Sequence, residues 1–194
     1  CLTAGNEGKN LLGEGDHDTT CHGEHTVGSL GGIMGLQGKA KCLMKKGEFK
    51  EANEIFVQLV EDFPYDMDTA AWLKECNRQY IEHLKEVIKE DDSQDLMMDL
   101  GWCYYQNEEY DQAIALMQYV EPEEKHKIGY ESLLGRSALS VDRHAKALKH
   151  LQNWEALLEE LPPSEENDEK RRKQMPFCLM LQSYAWDEMN DRAK

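Results

Sequence analysis

From Ile33 to the end of the chain, apolar side chains return every three or four residues, with polar and charged residues between them. That is the period of a helix with one face buried. Pro64, Glu121-Pro122-Glu123-Glu124 and Leu161-Pro162-Pro163-Ser164 interrupt the pattern and read as helix stops and starts. Before Ile33 the character changes. Ten of the 14 glycines lie within the first 38 residues, none occurs between Gly47 and Gly101, and no periodic apolar face can be drawn through residues 1–32. The pattern predicts an all-α chain preceded by a Gly-rich segment, residues 1–32, that is irregular or part of another domain.

The helical part is self-similar. Leu100-Gly101 matches Leu134-Gly135, and Ala113 matches Ala147, each pair 34 residues apart. The same frame fits Ala40, Leu43, Phe49, Ala52, Phe56, Leu59 and Pro64 near the start, and Leu179, Ser183 and Trp186 near the end. A small residue on the first helix of each unit (Ala40, Gly101, Gly135, Ser183) lets a partner helix approach closely. A second small residue (Ala52, Ala113, Ala147) does so from the other side. Leu43, Phe56, Tyr104, Met117, Leu134 and Leu151 fill the space between. Each helix pair leaves an apolar face that only the next pair covers, so the units are expected to stack.

These residues resemble the tetratricopeptide repeat (TPR) family of 34-residue helix–turn–helix units. The resemblance implies a right-handed α-solenoid of antiparallel helix pairs over residues 33–194. Its units fall at about 33–66, 67–93, 94–127, 128–161 and 176–194. The register breaks once, because Ala52 and Ala113 are 61 residues apart, seven short of two repeats. Residues 67–93 therefore form a shortened unit. Two short helices, roughly 68–78 and 80–91, are expected there; one long helix is the alternative, since Thr69–Glu90 contains no Gly or Pro. The last unit is truncated, so the expectation is a piece of a longer protein.

Charge narrows the function classes. The formal net charge is −16, from 38 acidic against 22 basic residues. Nucleic-acid binding needs a basic face, and anionic lipid would repel this chain. No apolar run reaches the roughly 18 residues of a membrane span. The six cysteines (Cys1, Cys21, Cys42, Cys76, Cys103, Cys178) form no CxxC pair and read as reduced, small hydrophobes. A cytoplasmic location is expected. If Cys1 were the processed cysteine of a lipoprotein, the alternative is a lipid-anchored protein of the cell envelope.

Candidate chemistry is sparse. His17, Cys21, His22 and His25 are zinc-ligand types close together, but H-x3-C-H-x2-H matches no standard finger and adjacent ligands would be strained. A polar loop is the preferred reading, with zinc the only candidate cofactor. The glycines of residues 28–40 do not form a phosphate cradle. Ile33 stands where a P-loop needs Gly, and Ala40 replaces the magnesium-binding hydroxyl. No nucleophile–base–carboxylate arrangement can be drawn from spacing, and the chain reads as non-catalytic.

The resemblance implies a groove lined by the first helix of each unit. On that frame the lining draws on Gln37 and Lys41, then Met98, Asp99, Trp102 and Tyr105, then Ser132 and Arg136. Residues 94–127 carry eight acids against two lysines, so an acidic groove recruiting a basic or amphipathic partner segment is expected, with a solvated face as the alternative. The Lys/Asn/Arg clamp with which TPR proteins hold acidic chaperone tails is absent: Gln37, Met98 and Ser132 occupy its positions, and Lys41 and Arg136 are isolated cations. The implied function is a scaffold or adaptor that binds a protein partner. The alternatives are an envelope lipoprotein supporting nutrient capture or outer-membrane assembly, and a metal-binding N-terminal segment. Self-association through the open end of the solenoid is a further expectation.

Overall fold

The computed structural model describes residues 30–191. Among them are eight α-helices and a 3-10 turn at Glu124–His126, with no strand. The helices are α1 (Leu30–Lys46), α2 (Phe49–Asp62), α3 (Met67–Val87), α4 (Gln94–Gln106), α5 (Tyr110–Met117), α6 (Lys127–Ser140), α7 (His144–Glu160) and α8 (Glu165–Asp191). Each packs on its neighbours in sequence; α4 also touches α6, and α6 touches α8, past the helix between them. This is the all-α, repeat-type stack that the 34-residue pattern predicts.

The repeat is visible in the backbone. Gly47, Glu108 and Asp142 are the only described residues with positive φ, at 80°, 64° and 59°. They fall at one repeat position: the α1–α2, α4–α5 and α6–α7 turns. The residue after each donates its N–H to the carbonyl five residues back, Glu48 to Leu43, Glu109 to Tyr104 and Arg143 to Ala138, at 3.0, 2.8 and 2.8 Å. A left-handed residue closing a helix with such a bond is a Schellman-type stop.

The small residues act as the pattern requires. A Cβ built on Gly101 would lie 2.8 Å from Leu133 Cδ2 and 2.9 Å from Met117 Cε. One on Gly135 would lie 2.8 Å from Leu151 Cδ2 and 3.0 Å from its Cγ. Ala40, Ala52, Ala113 and Ala147 are completely buried.

Two helices differ from expectation. Within residues 67–93 there is a single 21-residue helix, α3 (Met67–Val87), rather than two short ones. Asp66 caps its start, its carboxylate accepting from the backbone N–H groups of Asp68 and Thr69 and from the Thr69 hydroxyl. Nothing in its interior breaks it. Its first half places Leu73 and Cys76 against Ala40, Leu43, Ala52 and Phe56. Its second half places Tyr80, Ile81 and Leu84 against Leu100, Cys103, Tyr104 and Ala113. One continuous helix thus covers both units, and a turn would interrupt that face. Asn77, fully buried, accepts a hydrogen bond from Asn53 of α2, which also donates to Gln106 of α4 at 2.9 Å.

The last helix begins at Glu165, upstream of the expected 176. The turn at Pro162-Pro163 is followed by Ser164, whose hydroxyl accepts from the Asn167 N–H at 3.1 Å. Four acids in the first turn and a half favour the positive end of the helix. Pro176 lies within it.

Candidate functional site

The first helices of successive units, α4, α6 and α8, stand side by side and leave a cleft of about 590 Å³, with α2 and residues 125–129 at its rim. Helical spacing sets the lining. Met98, Asp99 and Trp102 share one face of α4; Ser132 and Arg136 are one turn apart on α6; Lys170, Lys173, Gln174 and Phe177 follow one face of α8. A Cβ on Gly129 would meet Met98 Cε at 3.4 Å, an ordinary van der Waals contact.

Aromatic side chains form the walls. Trp102 and Tyr105 meet edge to face with centroids 5.8 Å apart, and Tyr105 lies 5.5 Å from Tyr110. Trp154, from α7, is almost wholly buried; its Nε1 donates to Gln174 Oε1 at 3.2 Å and its ring meets Phe177 at 6.4 Å. Arg136 projects among them. Its guanidinium carbon is 4.6 Å from the Tyr105 centroid, 5.3 Å from Phe177 and 5.4 Å from Trp102, and its Nε donates to the Tyr105 hydroxyl at 3.2 Å. Such positions over ring faces favour a cation.

Asp95 and Asp99, two of the three acids in the lining, are engaged. Asp99 Oδ2 accepts from Lys50 Nζ at 2.8 Å and from the Tyr80 hydroxyl at 3.0 Å. That bond to Asp99 raises the Lys50 pKa above its ordinary value, against a smaller opposing effect of burial. Burial, reinforced by the Asp99 charge, pushes the Tyr80 phenol upward. Asp95 accepts from Lys125 at 3.2 Å and has His126 Nε2 2.8 Å away; the hydrogen bond from Lys125 is the main cause of its lowered pKa.

Of the residues singled out from the sequence, Met98, Asp99, Trp102, Ser132 and Arg136 line this one cleft, and Tyr105 joins it through Arg136. Gln37 and Lys41 do not. Gln37 donates to Asp66 and Thr69, at 3.0 and 2.6 Å, and so ties α1 to the start of α3. Lys41 lies 4.2 Å from the Trp72 ring centre. The single long α3 separates them from the later units. His17, Cys21, His22 and His25 lie outside the described residues. Among the described residues no group of three His, Cys, Asp or Glu side chains is placed to hold a metal ion. None of their helices is long and apolar enough to cross a membrane.

The expected acidic character is corrected. The lining carries Lys50, Lys125, Arg136, Lys170 and Lys173 against Glu61, Asp95 and Asp99. Most acids of the 94–127 stretch, including Glu108, Glu109, Asp111, Glu121, Glu123 and Glu124, do not line the cleft, and α8 brings lysines that the sequence frame left out. Their signal was the uninterrupted run from Glu165 to Gln174, acidic then basic, with no Gly or Pro. Trp154 was readable only as core.

Residues 80–154, from the middle of α3 to α7, match the family model described as anaphase-promoting complex, cyclosome, subunit 3, a TPR-type repeat family. No curated protein matches the chain.

Proposed function

We propose that this chain, an all-α array of the tetratricopeptide type, is a non-catalytic protein-interaction scaffold that seats a segment of a partner protein in the cleft between α4, α6 and α8. The match of residues 80–154 to a TPR-type family supports a protein partner. The observation that carries the choice of surface is the Arg136 cluster. A half-buried guanidinium among Trp102, Tyr105 and Phe177 presents the residue types that dominate binding hot spots, at the bottom of a cleft rather than on a convex face. The array is held together by its own helix contacts, so the cleft is formed before a partner arrives and little ordering is needed on binding.

The test is affinity capture from native lysate with wild-type protein, the cleft variant Trp102→Ala/Phe177→Ala and the control variant Lys146→Ala/Lys149→Ala. Protein recovered with wild type and control, and lost with the cleft variant at unchanged far-UV circular dichroism, is the expected result. Equal recovery with all three removes the cleft from the function.

A further inference from the structure

The pairing pattern inside the cleft defines what it still lacks. Lys50 pairs with Asp99, Lys125 with Asp95, and Lys173 with Glu169 at 2.8 Å. Arg136 and Lys170 are left, both half-buried, and neither has an acidic partner among the described residues. The acid left over in the lining is Glu61, and it belongs to α2, whereas the two cations stand on α6 and α8. Around Arg136 the neighbours are aromatic rings and one phenol oxygen, so only its Nε is used. The remaining guanidinium N–H groups form a planar fork that fits a carboxylate. Three rings shield that fork from part of its water, which makes an unpaired cation costly and an incoming carboxylate correspondingly favourable.

We infer that the partner segment is acidic: an extended peptide that sets an Asp or Glu carboxylate on Arg136, within reach of Lys170, with an apolar or aromatic residue beside it against Trp102 and Phe177. This rests on the reading of the cleft as a peptide site. A basic segment would bring a cation to the two uncompensated cations, and the carboxylates of Asp95 and Asp99 are already held by lysines. The overall charge of −16 does not reverse this choice. Charges beyond a Debye length, about 8 Å at physiological salt, are largely screened, while those lining the cleft are not. The general repulsion instead restricts capture to acidic segments that also fill the aromatic walls, which is a source of selectivity.

Short random peptides displayed on phage are selected on the immobilised chain of residues 1–194, and the enriched peptides are synthesised in matched Glu and Gln versions. Expected are sequences pairing Asp or Glu with Leu, Phe, Tyr or Trp. The Gln version and the Arg136→Gln protein should each weaken binding roughly tenfold or more. Arg136→Lys should recover part of the loss, because it restores the charge without the fork. Enrichment of Lys- or Arg-rich peptides, or of peptides without acids, that still fail on Trp102→Ala/Phe177→Ala overturns the acidic class and leaves the cleft as the site. Acidic peptides that bind Arg136→Gln as well as wild type overturn the placement of the carboxylate. No enrichment, or peptides indifferent to Trp102→Ala/Phe177→Ala, overturns this inference and the peptide-site reading together.

Discussion

Arg136 and Tyr105, on α6 and α4, make two contacts at once: the guanidinium carbon sits 4.6 Å from the ring centre, and Nε donates to the ring's hydroxyl at 3.2 Å. The pair joins successive units across the cleft floor. Tyr105→Phe removes the acceptor and keeps the ring, and is expected to cost about 0.5 kcal/mol because the pair is half exposed. Arg136→Met keeps the stem and removes the cation, losing in addition the attraction to Trp102 and Phe177. A double-mutant cycle read by urea unfolding should give a coupling of about 0.5–1 kcal/mol between the two positions. A coupling of zero would mean that the contact adds nothing to the packing of α4 on α6.

The glycines separate into those that packing requires and those it does not. Gly135→Ala drives a methyl against Leu151, which is fully buried and meets it with its Cγ as well as a terminal carbon. The expected loss is about 1–2 kcal/mol after subtracting the gain in helix propensity. Gly101→Ala meets only the ends of Leu133 and Met117 and should cost less. Gly35→Ala and Gly38→Ala have nothing within 4 Å, and each should stabilise α1 by up to about 1 kcal/mol. Chemical denaturation of the four variants tests the order. Gly135→Ala matching Gly35→Ala would show that α6 and α7 do not pack through this contact.

The turn position gives the converse case. Glu108 holds a φ of 64° where the first unit has Gly47. A non-glycine residue is strained there by roughly 1 kcal/mol. Glu108→Gly should therefore raise the melting temperature, and Gly47→Ala should lower it, when both are followed by circular dichroism.

How much of this was legible follows from which signals are local. Small residues 34 positions apart, and apolar residues between them, report on neighbours one helix away, so the frame found Gly101, Gly135 and the cluster Met98, Asp99, Trp102, Ser132 and Arg136. Spacing cannot tell whether a short unit is two helices or one. The choice at 67–87 was made by Leu73 and Cys76 serving one cluster while Tyr80 and Leu84 serve the next, a tertiary fact. Net charge over a 34-residue stretch also misled, because it adds residues from every face of two helices. Only Asp95 and Asp99 of those acids reach the cleft, and both arrive paired.

The basic run Lys170-Arg171-Arg172-Lys173 shows the same limit at single-residue scale. Lys170 and Lys173 face the cleft, and Arg172 is exposed. Arg171 turns the other way: its Nε donates to the Leu158 carbonyl at 2.9 Å, and its remaining nitrogens to the Leu161 carbonyl and to Asp168. It thus satisfies carbonyls at the negative end of α7 and fastens the turn into α8. Arg171→Met should cost about 1–2 kcal/mol. Arg172→Met should stay within roughly 0.5 kcal/mol of wild type. Equal unfolding midpoints for the two variants in guanidinium would remove Arg171 from the α7–α8 junction.

Cys76 sets an alkaline limit on the array. It is fully buried where α3 meets α2, its Sγ 3.9 Å from the Phe49 carbonyl oxygen. Burial, helped by the Glu75 charge, pushes its thiol from the ordinary 9.0 up to about 12. Burial moves Cys103 and Tyr80 in the same direction. The sign follows from linkage: above pH 9.0 the unfolded chain releases the proton that the folded chain retains until about pH 12. Deprotonation therefore favours unfolding across that window, and the contribution is fully present below it. Urea midpoints should be level up to about pH 9.0 and then fall with increasing pH. Cys76→Ala should lower the whole curve through its small cavity and yet flatten its alkaline limb, with Tyr80 and Cys103 supplying the slope that remains. In the native protein, peptide mapping after iodoacetamide should find Cys42 alkylated well before Cys76, Cys103 and Cys178, which are buried. A curve of unchanged slope in Cys76→Ala, or early labelling of Cys76, would place that thiol in water and detach α3 from the α1–α2 pair it covers.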